Sequence, residues 1–500
     1  MFVKRFYEPS IAQASYLIGC NATGEAIVID ANRDVDQYLQ AAESEGLRIT
    51  HVTETHIHAD YVSGSRELAH KTGGTLYLSD EGDADWKYAF AGEGRLLHHG
   101  DRLQIGNIRV DVLHTPGHTP EHLSFLITDG AAADQPIAAV TGDFVFVGDV
   151  GRPDLLERAA NIKGTMEVGA RTLWTSLQAF ARLEDWLQIW PGHGAGSACG
   201  KGISAIPSST LGYERRFNWA FNVKTEADFV ERVLEGQPEP PSYFANMKRV
   251  NKAGPSLIGG FQTPPRLADS ELAALLASGA LVVDTRPANE YAAQHVSGTL
   301  NIPLNASFVT WAGWLVPSTA DLYLIVDDAS ASRLAEVSRL LALIGIDRIS
   351  GWLGTSVVAA SAAHRRTPQL APAELQARLA TDAVTVVDVR SASEWAGGHV
   401  PGALHIPLGY LAERCRSLPT TKPIVVQCQT GGRSAIAASL LERLNIPNVI
   451  NLEGGFSAWV AAGLPVEGGR CQTPLQSLPP MGNSRSRPGR SLSGKFCNGV

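Results

Sequence analysis

Nowhere does the chain carry an uncharged apolar run approaching the length that spans a bilayer, and its first residues, MFVKRFYEPSIAQASYLIG, hold no apolar core of signal-peptide length. A cytoplasmic location is therefore expected, without membrane attachment. The chain also lacks surplus positive charge. Its net charge of -8 argues against a broad nucleic-acid footprint, which needs an excess of Lys and Arg to follow phosphates. Cysteine is scarce: the 6 in 500 residues (Cys20, Cys199, Cys415, Cys428, Cys471 and Cys497) show neither disulfide-framework nor zinc-ribbon spacing. In a reducing compartment each is a separate chemical question.

What is present is glycine-rich, globular sequence, with 44% hydrophobic and 18% charged residues. Its length exceeds one ordinary core and suggests roughly three domains. Residues 1 to about 130 alternate short β-rich runs, such as SYLIG, EAIVIDA and LRITHVTETH, with turns. The Pro- and Gly-rich stretch around 235–265 reads as a linker. Beyond it, LVVDTRPANEYAAQHVSGTLNIPL from Leu281 reappears as TVVDVRSASEWAGGHVPGALHIPL from Thr385. Each copy joins an apolar strand to helix and strand patterns, which predicts two sister α/β modules with parallel sheets. The expected domains are 1–255, 256–364 and 365–470. The remaining segment, 471–500, holds four basic and no acidic residues among Ser, Pro and Gly, and is expected to be a solvated disordered tail.

Chemistry-bearing residues gather at the ends of β-rich runs. THIHADYVSG places His56, His58 and Asp60 within five residues; His118 sits in TPGHTPEH, Asp143 in TGDFVFVGD and His193 in WPGHGAGSACG. Two histidines this close can ligate a metal or serve as structural hydrogen-bonding groups. The ordered set HxHxD, TPGHT, TGD and PGH resembles the metallo-β-lactamase superfamily over residues 1–255. That resemblance implies an αββα sandwich of two mixed sheets with metal at one edge. Hydrolases of the superfamily, such as the glyoxalase II thioesterases, read THxHxDH, where the last His helps to build a second metal position; here Tyr61 takes its place. One metal is then the expectation. By resemblance to the persulfide dioxygenase branch, His56, His118 and Asp143 are the ligands of one Fe(II), a two-histidine, one-carboxylate set with open positions. His58, Asp60 and His193 would orient ligands or substrate, and Arg152 in GDVGRPDL would line the substrate channel and hold a substrate carboxylate. The glutathione-using members carry a tyrosine soon after the last histidine, whereas this chain reads GAGSACGK.

In the last module, strand PIVVQC leads into CQTGGRS, so Cys428 would sit among backbone N–H groups at a helix N-terminus with Arg433 beside it, an environment that favours a thiolate. With DVRSASEW, GHVPGALHIP and EGGFSAW, the module resembles the rhodanese family of sulfurtransferases. By that resemblance Cys428 takes a sulfane sulfur, and Gln429, Thr430, Gly431, Gly432, Arg433 and Ser434 form the loop that holds its charge. The loop is one residue shorter than in related phosphatase domains, which favours sulfur over phosphate. The first copy reads DDASASR, with Asp328 where Cys428 stands and Arg333 where Arg433 stands, so it is expected to be a degenerate rhodanese domain with a spacing or docking role.

The order of domains resembles the persulfide dioxygenase–rhodanese fusions, within which Cys199 matches a second cysteine near the iron; by that resemblance Cys199 is catalytic, receiving sulfur carried on Cys428 or a small thiol. The resemblance implies an Fe(II)-dependent persulfide dioxygenase with sulfurtransferase activity, handling small persulfides or thiols, dioxygen, sulfite and thiosulfate in sulfide detoxification, as a homo-oligomer. Two alternatives stand beside it: a dinuclear zinc thioester hydrolase fused to a sulfurtransferase, and a non-catalytic persulfide carrier or sensor.

Overall fold

Residues 1–155, 157 and 164–468 are described by a computed structural model; the proposed tail at 471–500 lies outside them. The first half is a pair of six-stranded mixed sheets. One runs Phe2–Glu8, Gln13–Cys20, Glu25–Ile29, Arg48–Thr53, Thr75–Ser79, Arg95–Leu97 in spatial order, and the other runs from Ser209–Thr210 through Gln188–Pro191, Ala138–Gly142, Leu123–Asp129 and Ile108–His114 to Arg102–Ile105. Period-two side-chain alternation explains why they stack. In strand Gln13–Cys20, Ala14, Tyr16 and Ile18 face the second sheet and meet Val110, Val112, Phe125 and Val140. Leu17 and Val28 face the other way, onto Tyr38 and Leu68 of the helices Asp36–Ser44 and Ser65–Thr72.

The outer face of the second sheet is covered by helix Thr165–Phe180, whose Ala170, Leu173, Leu177 and Phe180 recur at helical spacing against Leu126, Ala139 and Ile189. Each fully buried Leu, Val or Phe contributes about 1.5–3 kcal/mol. The result is the expected αββα sandwich. Loops at one edge of both sheets carry His56, His118, Asp143 and His193.

The second half holds two all-parallel sheets, as the internal repeat predicts. Leu281–Asp284 and Thr385–Asp388, the two VVD runs, lie inside a four-stranded and a five-stranded sheet respectively. Strands buried on both faces read as continuous apolar runs, which is why these lack alternation. The two modules share one apolar cluster, in which Val283, Leu324 and Leu341 of the first join Val387, Ile436 and Leu440 of the second. Buried polar contacts cross the same seam: Asn301 N donates to Ser439 Oγ at 3.0 Å, and His295 Nε2 meets Glu442 at 3.0 Å. Among the described residues no helix is long and apolar enough to cross a membrane.

The segment read as a linker is not a loose connection. Part of it forms helix Phe244–Ala253, against the expectation from its Pro and Gly content, because those residues cluster outside 244–253 and leave an amphipathic run between. Asn251 of this helix is 1% exposed. Its amide donates to the carbonyls of His58 and Tyr61, both at 2.7 Å, and its Oδ1 accepts from Ser63 N at 2.9 Å. The adjoining Val62 N donates to Leu343 O of the middle domain at 2.7 Å. Arg33, 3% exposed, reaches across to Asp347 at 2.7 and 2.8 Å and to the Ala342 carbonyl at 3.3 Å. The loop bearing His56, His58 and Asp60 is thus held from behind by chain that follows it by almost two hundred residues.

Asn251→Ala strips three hydrogen bonds from buried backbone groups and is expected to cost about 3 kcal/mol of N-terminal domain stability. Guanidinium melts of the full chain read this; a cost below about 0.5 kcal/mol would mean that the loop holds itself.

Candidate metal centre and sulfur-transfer loop

Strand Glu25–Ile29 ends in Asp30, a buried aspartate at φ 60°. Its carboxylate accepts from Thr55 N at 2.6 Å, from Thr55 Oγ1 at 3.0 Å and from His58 Nε2 at 3.0 Å. With its own hydrogen committed to Asp30, Thr55 Oγ1 accepts from His56 Nδ1 at 2.9 Å. That places the proton on Nδ1 and leaves the Nε2 lone pair of His56 free.

The same rule sets the other rings. His118 Nδ1 lies 3.0 Å from the Arg152 carbonyl and His193 Nδ1 lies 3.1 Å from the Ala12 carbonyl. A carbonyl only accepts, so both Nε2 atoms present lone pairs. They face carboxylates: His118 Nε2 is 3.5 Å from Asp143 Oδ2, and His193 Nε2 is 3.2 Å from Asp60 Oδ2 and 3.3 Å from Asp143 Oδ1.

Donor atoms of His56, His118 and Asp143 all lie within 4.8 Å of one another, and so do those of Asp60, His193 and Cys199. Both Asp143 oxygens and Asp60 Oδ2 accept no hydrogen bond among the described residues, although Asp143 is 1% and Asp60 6% exposed. Buried carboxylates facing bare nitrogen lone pairs are a costly arrangement without a cation. These residues fit a metal ion. Burial, with the neighbouring histidines, holds His56 far below the usual imidazole range, and burial also lowers His118, so both rings are neutral as ligands must be.

His58 presents its two nitrogens differently: Nε2 lies 3.0 Å from Asp30, whereas Nδ1 is buried and has no hydrogen-bond partner among the described residues. Burial lowers its pKa, but Asp30, then Glu54 and Asp60, outweigh that and raise it to about 9 when no cation is bound. Tyr61 is equally committed: its ring packs on His58 at 4.5 Å, and its hydroxyl donates to the Asp30 carbonyl at 3.3 Å. Position 61 therefore braces the loop.

Two expectations change here. Arg152 is fully buried, with Nε and Nη2 both 2.8 Å from Asp154 and Nη1 2.9 Å from the Ala198 carbonyl. It ties the loop of His118 to the loop of Cys199 and has no face for a substrate carboxylate. Cys199 is 2% exposed, and burial with the Asp143 and Asp60 carboxylates pushes its thiol well above the usual range. As placed, it is a weak nucleophile.

Several site residues lack a signal in sequence reading. His122 stacks on His56 with ring centroids 5.1 Å apart, and its Nε2 accepts from Asp143 N at 3.2 Å; the second histidine of TPGHTPEH was its one trace. Gly142 of TGD adopts φ 49°, and a Cβ there would lie 2.5 Å from Thr55 Oγ1. Only glycine lets strand Ala138–Gly142 pass so close. Tyr243, one residue before the Phe244–Ala253 helix, packs with Ala59, Phe146 and Cys199 beside the site.

In the C-terminal domain, strand Ile424–Gln427 delivers Cys428 to the N-terminus of helix Gly432–Arg443, with Gly431 at φ 102° making the turn. Gly431 N donates to Sγ at 3.1 Å and Ser434 Oγ at 3.5 Å. Arg433 forms a two-pronged pair with Glu394, at 2.7 and 2.6 Å. Glu394 first, with Cys428 adding, keeps this guanidinium protonated. Glu394, which caps its own helix through Ser391, was missed because it lies in the SASEW run, far in sequence from the loop. Gln429 joins Arg390 at 3.1 Å to Ser457 at 2.9 Å, which fixes the loop from its outer side.

Cys428, Thr430, Gly432 and Arg433 open into a cleft of about 1150 Å³ whose other wall is the middle domain, including Thr285, Trp311 and Arg333. Arg333 pairs with Glu336 at 3.0 Å, while the side chain of Asp328 lies outside the described residues.

Residues 11–193 match the metallo-beta-lactamase superfamily, and residues 268–356 and 371–462 each match the rhodanese-like domain. The solved metallo-beta-lactamase of Staphylococcus aureus subsp. aureus COL is 44% identical, with 71% of this chain and 99% of that chain covered and a TM-score of 0.65. The chain belongs to the metallo-β-lactamase superfamily. Two rhodanese-like domains follow its metallo-β-lactamase domain. A hydroxyacylglutathione hydrolase of Rhodospirillum rubrum is 32% identical over 178 residues, covering 36% of this chain and 60% of that protein's length. The mitochondrial persulfide dioxygenase ETHE1 of Bos taurus is 28% identical over 277 residues, covering 53% of this chain and 91% of that one.

Glu394 gives a pH prediction. Burial would raise its pKa, but Arg433 and Ser391 outweigh that and lower it to about 2. A lowered folded-state value stabilises fully above the ordinary 4.5 and fades as pH falls toward 2. Glu394→Gln should therefore cost the C-terminal rhodanese-like domain about 1 kcal/mol at pH 7. In melts from pH 7 to 3.5 the gap from wild type should narrow below about 4.5; a gap that widens on acidification would contradict the assignment.

Proposed function

We propose that the chain is an Fe(II)-dependent persulfide dioxygenase joined to a sulfurtransferase, acting on small persulfides in the cytoplasm and serving sulfide detoxification as a homo-oligomer. The observation that carries this reading is the donor set His56, His118 and Asp143, with Tyr61, at the place of the last histidine of the hydrolase motif, turned toward Asp30. A two-histidine, one-carboxylate set leaves coordination positions open, which suits a sulfur ligand and dioxygen better than a fully enclosed structural ion. The bovine persulfide dioxygenase relative supports the same class.

The overall reaction is RSSH + O₂ + H₂O giving RSH, sulfite and two protons. Bound at the three donors, Fe(II) would supply the one-electron chemistry that dioxygen requires. The chain's own residues do the rest. Thr55 and the Arg152 carbonyl hold the His56 and His118 rings in the ligand tautomer, His122 fixes the backbone of Asp143, and the packed Phe146 and Tyr243 rings limit water.

At the second site the Cys428 thiolate attacks the outer sulfur of a donor such as thiosulfate. Its S–S bond breaks, sulfite leaves with the electron pair, and a Cys428 persulfide anion remains. The Gly431 amide and the Ser434 hydroxyl, which already point at Sγ, receive that charge, with Arg433 alongside. Sulfite from the first site and sulfane sulfur from the second are the two halves of thiosulfate, and tethering raises their effective concentration.

The competing reading is a zinc thioester hydrolase, favoured by the Rhodospirillum rubrum relative. Iron-reconstituted protein should consume oxygen with glutathione, coenzyme A or cysteine persulfide and release sulfite. His118→Ala should abolish uptake and leave thiosulfate-to-cyanide sulfur transfer intact, and Cys428→Ser should do the reverse. Hydrolysis of S-lactoylglutathione by the zinc form, with no persulfide-dependent uptake by the iron form, would decide for the hydrolase.

A further inference from the structure

The cleft over Cys428 has two walls, and the Cys428 loop forms one of them. At about 1150 Å³ it is far larger than thiosulfate or cyanide needs and reaches the size that encloses a whole organic ligand, about 300–1,000 Å³. Its other wall is the middle domain, whose own loop has no cysteine. We propose that this wall is the subsite for the body of a carrier thiol, an amide-bearing molecule with a carboxylate end, and that Arg333 is the specificity-determining residue that holds the carboxylate. The subsite rests on the sulfurtransferase reading of Cys428 and extends it to the domain that lacks the cysteine.

Uncharged polar groups stand open along the middle-domain wall. The hydroxyls of Ser307, Thr310 and Thr355 make no hydrogen bond among the described residues, and the Asn305 amide uses only its oxygen, which accepts from Ser307 N at 2.9 Å. Ser307 and Thr310 lie at the start of helix Phe308–Leu315, and Thr355 directly precedes helix Ser356–Ala360. Free hydroxyls and an amide nitrogen match the carbonyl and N–H groups of an amide chain, and Trp311 of the same wall gives methylenes an apolar face.

Charge around the cleft is held unevenly. Arg286 is bound to Asp284 at 2.6 and 3.0 Å and to the Gln294 carbonyl at 3.0 Å, and Arg433 on the opposite wall is bound to Glu394. Arg333 pairs with Glu336 at 3.0 Å, but the two side chains are 49% and 45% exposed, and a surface pair of this kind opens at little cost. Arg333 is therefore the lining guanidinium able to turn to a ligand, and its planar fork fits a carboxylate. Of the lining acids, Asp327 is turned onto Ala329 N at 2.9 Å, whereas Glu290 is exposed on helix Ala288–Ala293 and repels a cluster of phosphates more than an isolated carboxylate. Held on this wall, the carrier thiolate attacks the outer sulfur of the Cys428 persulfide anion. The bond to the Cys428 sulfur breaks, its electron pair stays on Cys428 as a thiolate, and the carrier leaves as a persulfide anion.

The test runs the full-length protein without oxygen, so that sulfite comes from thiosulfate alone, and follows sulfite release with glutathione, glutathione diethyl ester or 2-mercaptoethanol as acceptor. The ester keeps the amide body and lacks the carboxylates; 2-mercaptoethanol lacks both. At equal thiolate concentration wild type should prefer glutathione to the ester, and the ester to 2-mercaptoethanol. In Arg333→Ala the first preference should fall about 5–20-fold, through KM, and Arg333→Lys, with the charge but not the planar fork, should recover part of it. In Thr310→Val the second preference should fall about 2–5-fold. Either preference absent in wild type, or unchanged in its variant, would overturn the subsite while thiosulfate-to-cyanide transfer still upholds Cys428. Wild type that passes no sulfur to cyanide would overturn the reading of Cys428 and the subsite with it.

Discussion

The carboxylate of Asp30 is the point from which the metal centre is built. It is fully buried and receives a backbone amide and a hydroxyl from Thr55 and the imidazole Nε2 of His58. Through Thr55 it determines which nitrogen of His56 is bare, and by holding Nε2 of His58 it leaves Nδ1 of that ring as the bare one. Charge-assisted hydrogen bonds of this kind lose little to solvent when buried. The price is a non-glycine residue in the left-handed region, a strain the surrounding sheet must hold.

The two active regions stabilise charge in opposite ways. At the metal centre the side chains are almost all acceptors, with ring protons tied back to carbonyls, so the region is complete only with a positive ion. Around Cys428 the converging groups are donors, an amide, a hydroxyl and a guanidinium, so that region suits a negative sulfur. A single chain therefore offers one place whose converging groups suit a cation and another whose converging groups suit an anion.

Much of this was legible in the residues. The HxHxD, TPGHT, TGD and PGH runs fall at strand ends as their flanking apolar stretches suggest, and the repeated VVD runs become buried parallel strands because nothing in them alternates. The parts that were not legible depend on partners distant in sequence. Asn251 has no motif and matters only because the His58 and Tyr61 carbonyls come within reach. Arg152 matches a channel-lining arginine in its motif, and only the fold encloses it between Asp154 and the Ala198 carbonyl. Cys199 matches a reactive cysteine by its place in the motif, whereas burial, with the Asp143 and Asp60 carboxylates, pushes its thiol well above the usual range. Local pattern reports which groups are present; only the fold reports what each one faces.

The helix Phe244–Ala253 gives this chain a property that its repeat structure hides. Its family matches divide it into three exchangeable blocks, but the backbone that closes the metal loop belongs to the seam between blocks. A version cut at the end of the first matched segment, residue 193, would hand the carbonyls of His58 and Tyr61 to water and remove Cys199 altogether. Shuffling of such domains, in nature or by design, must therefore carry the seam along with the block that precedes it.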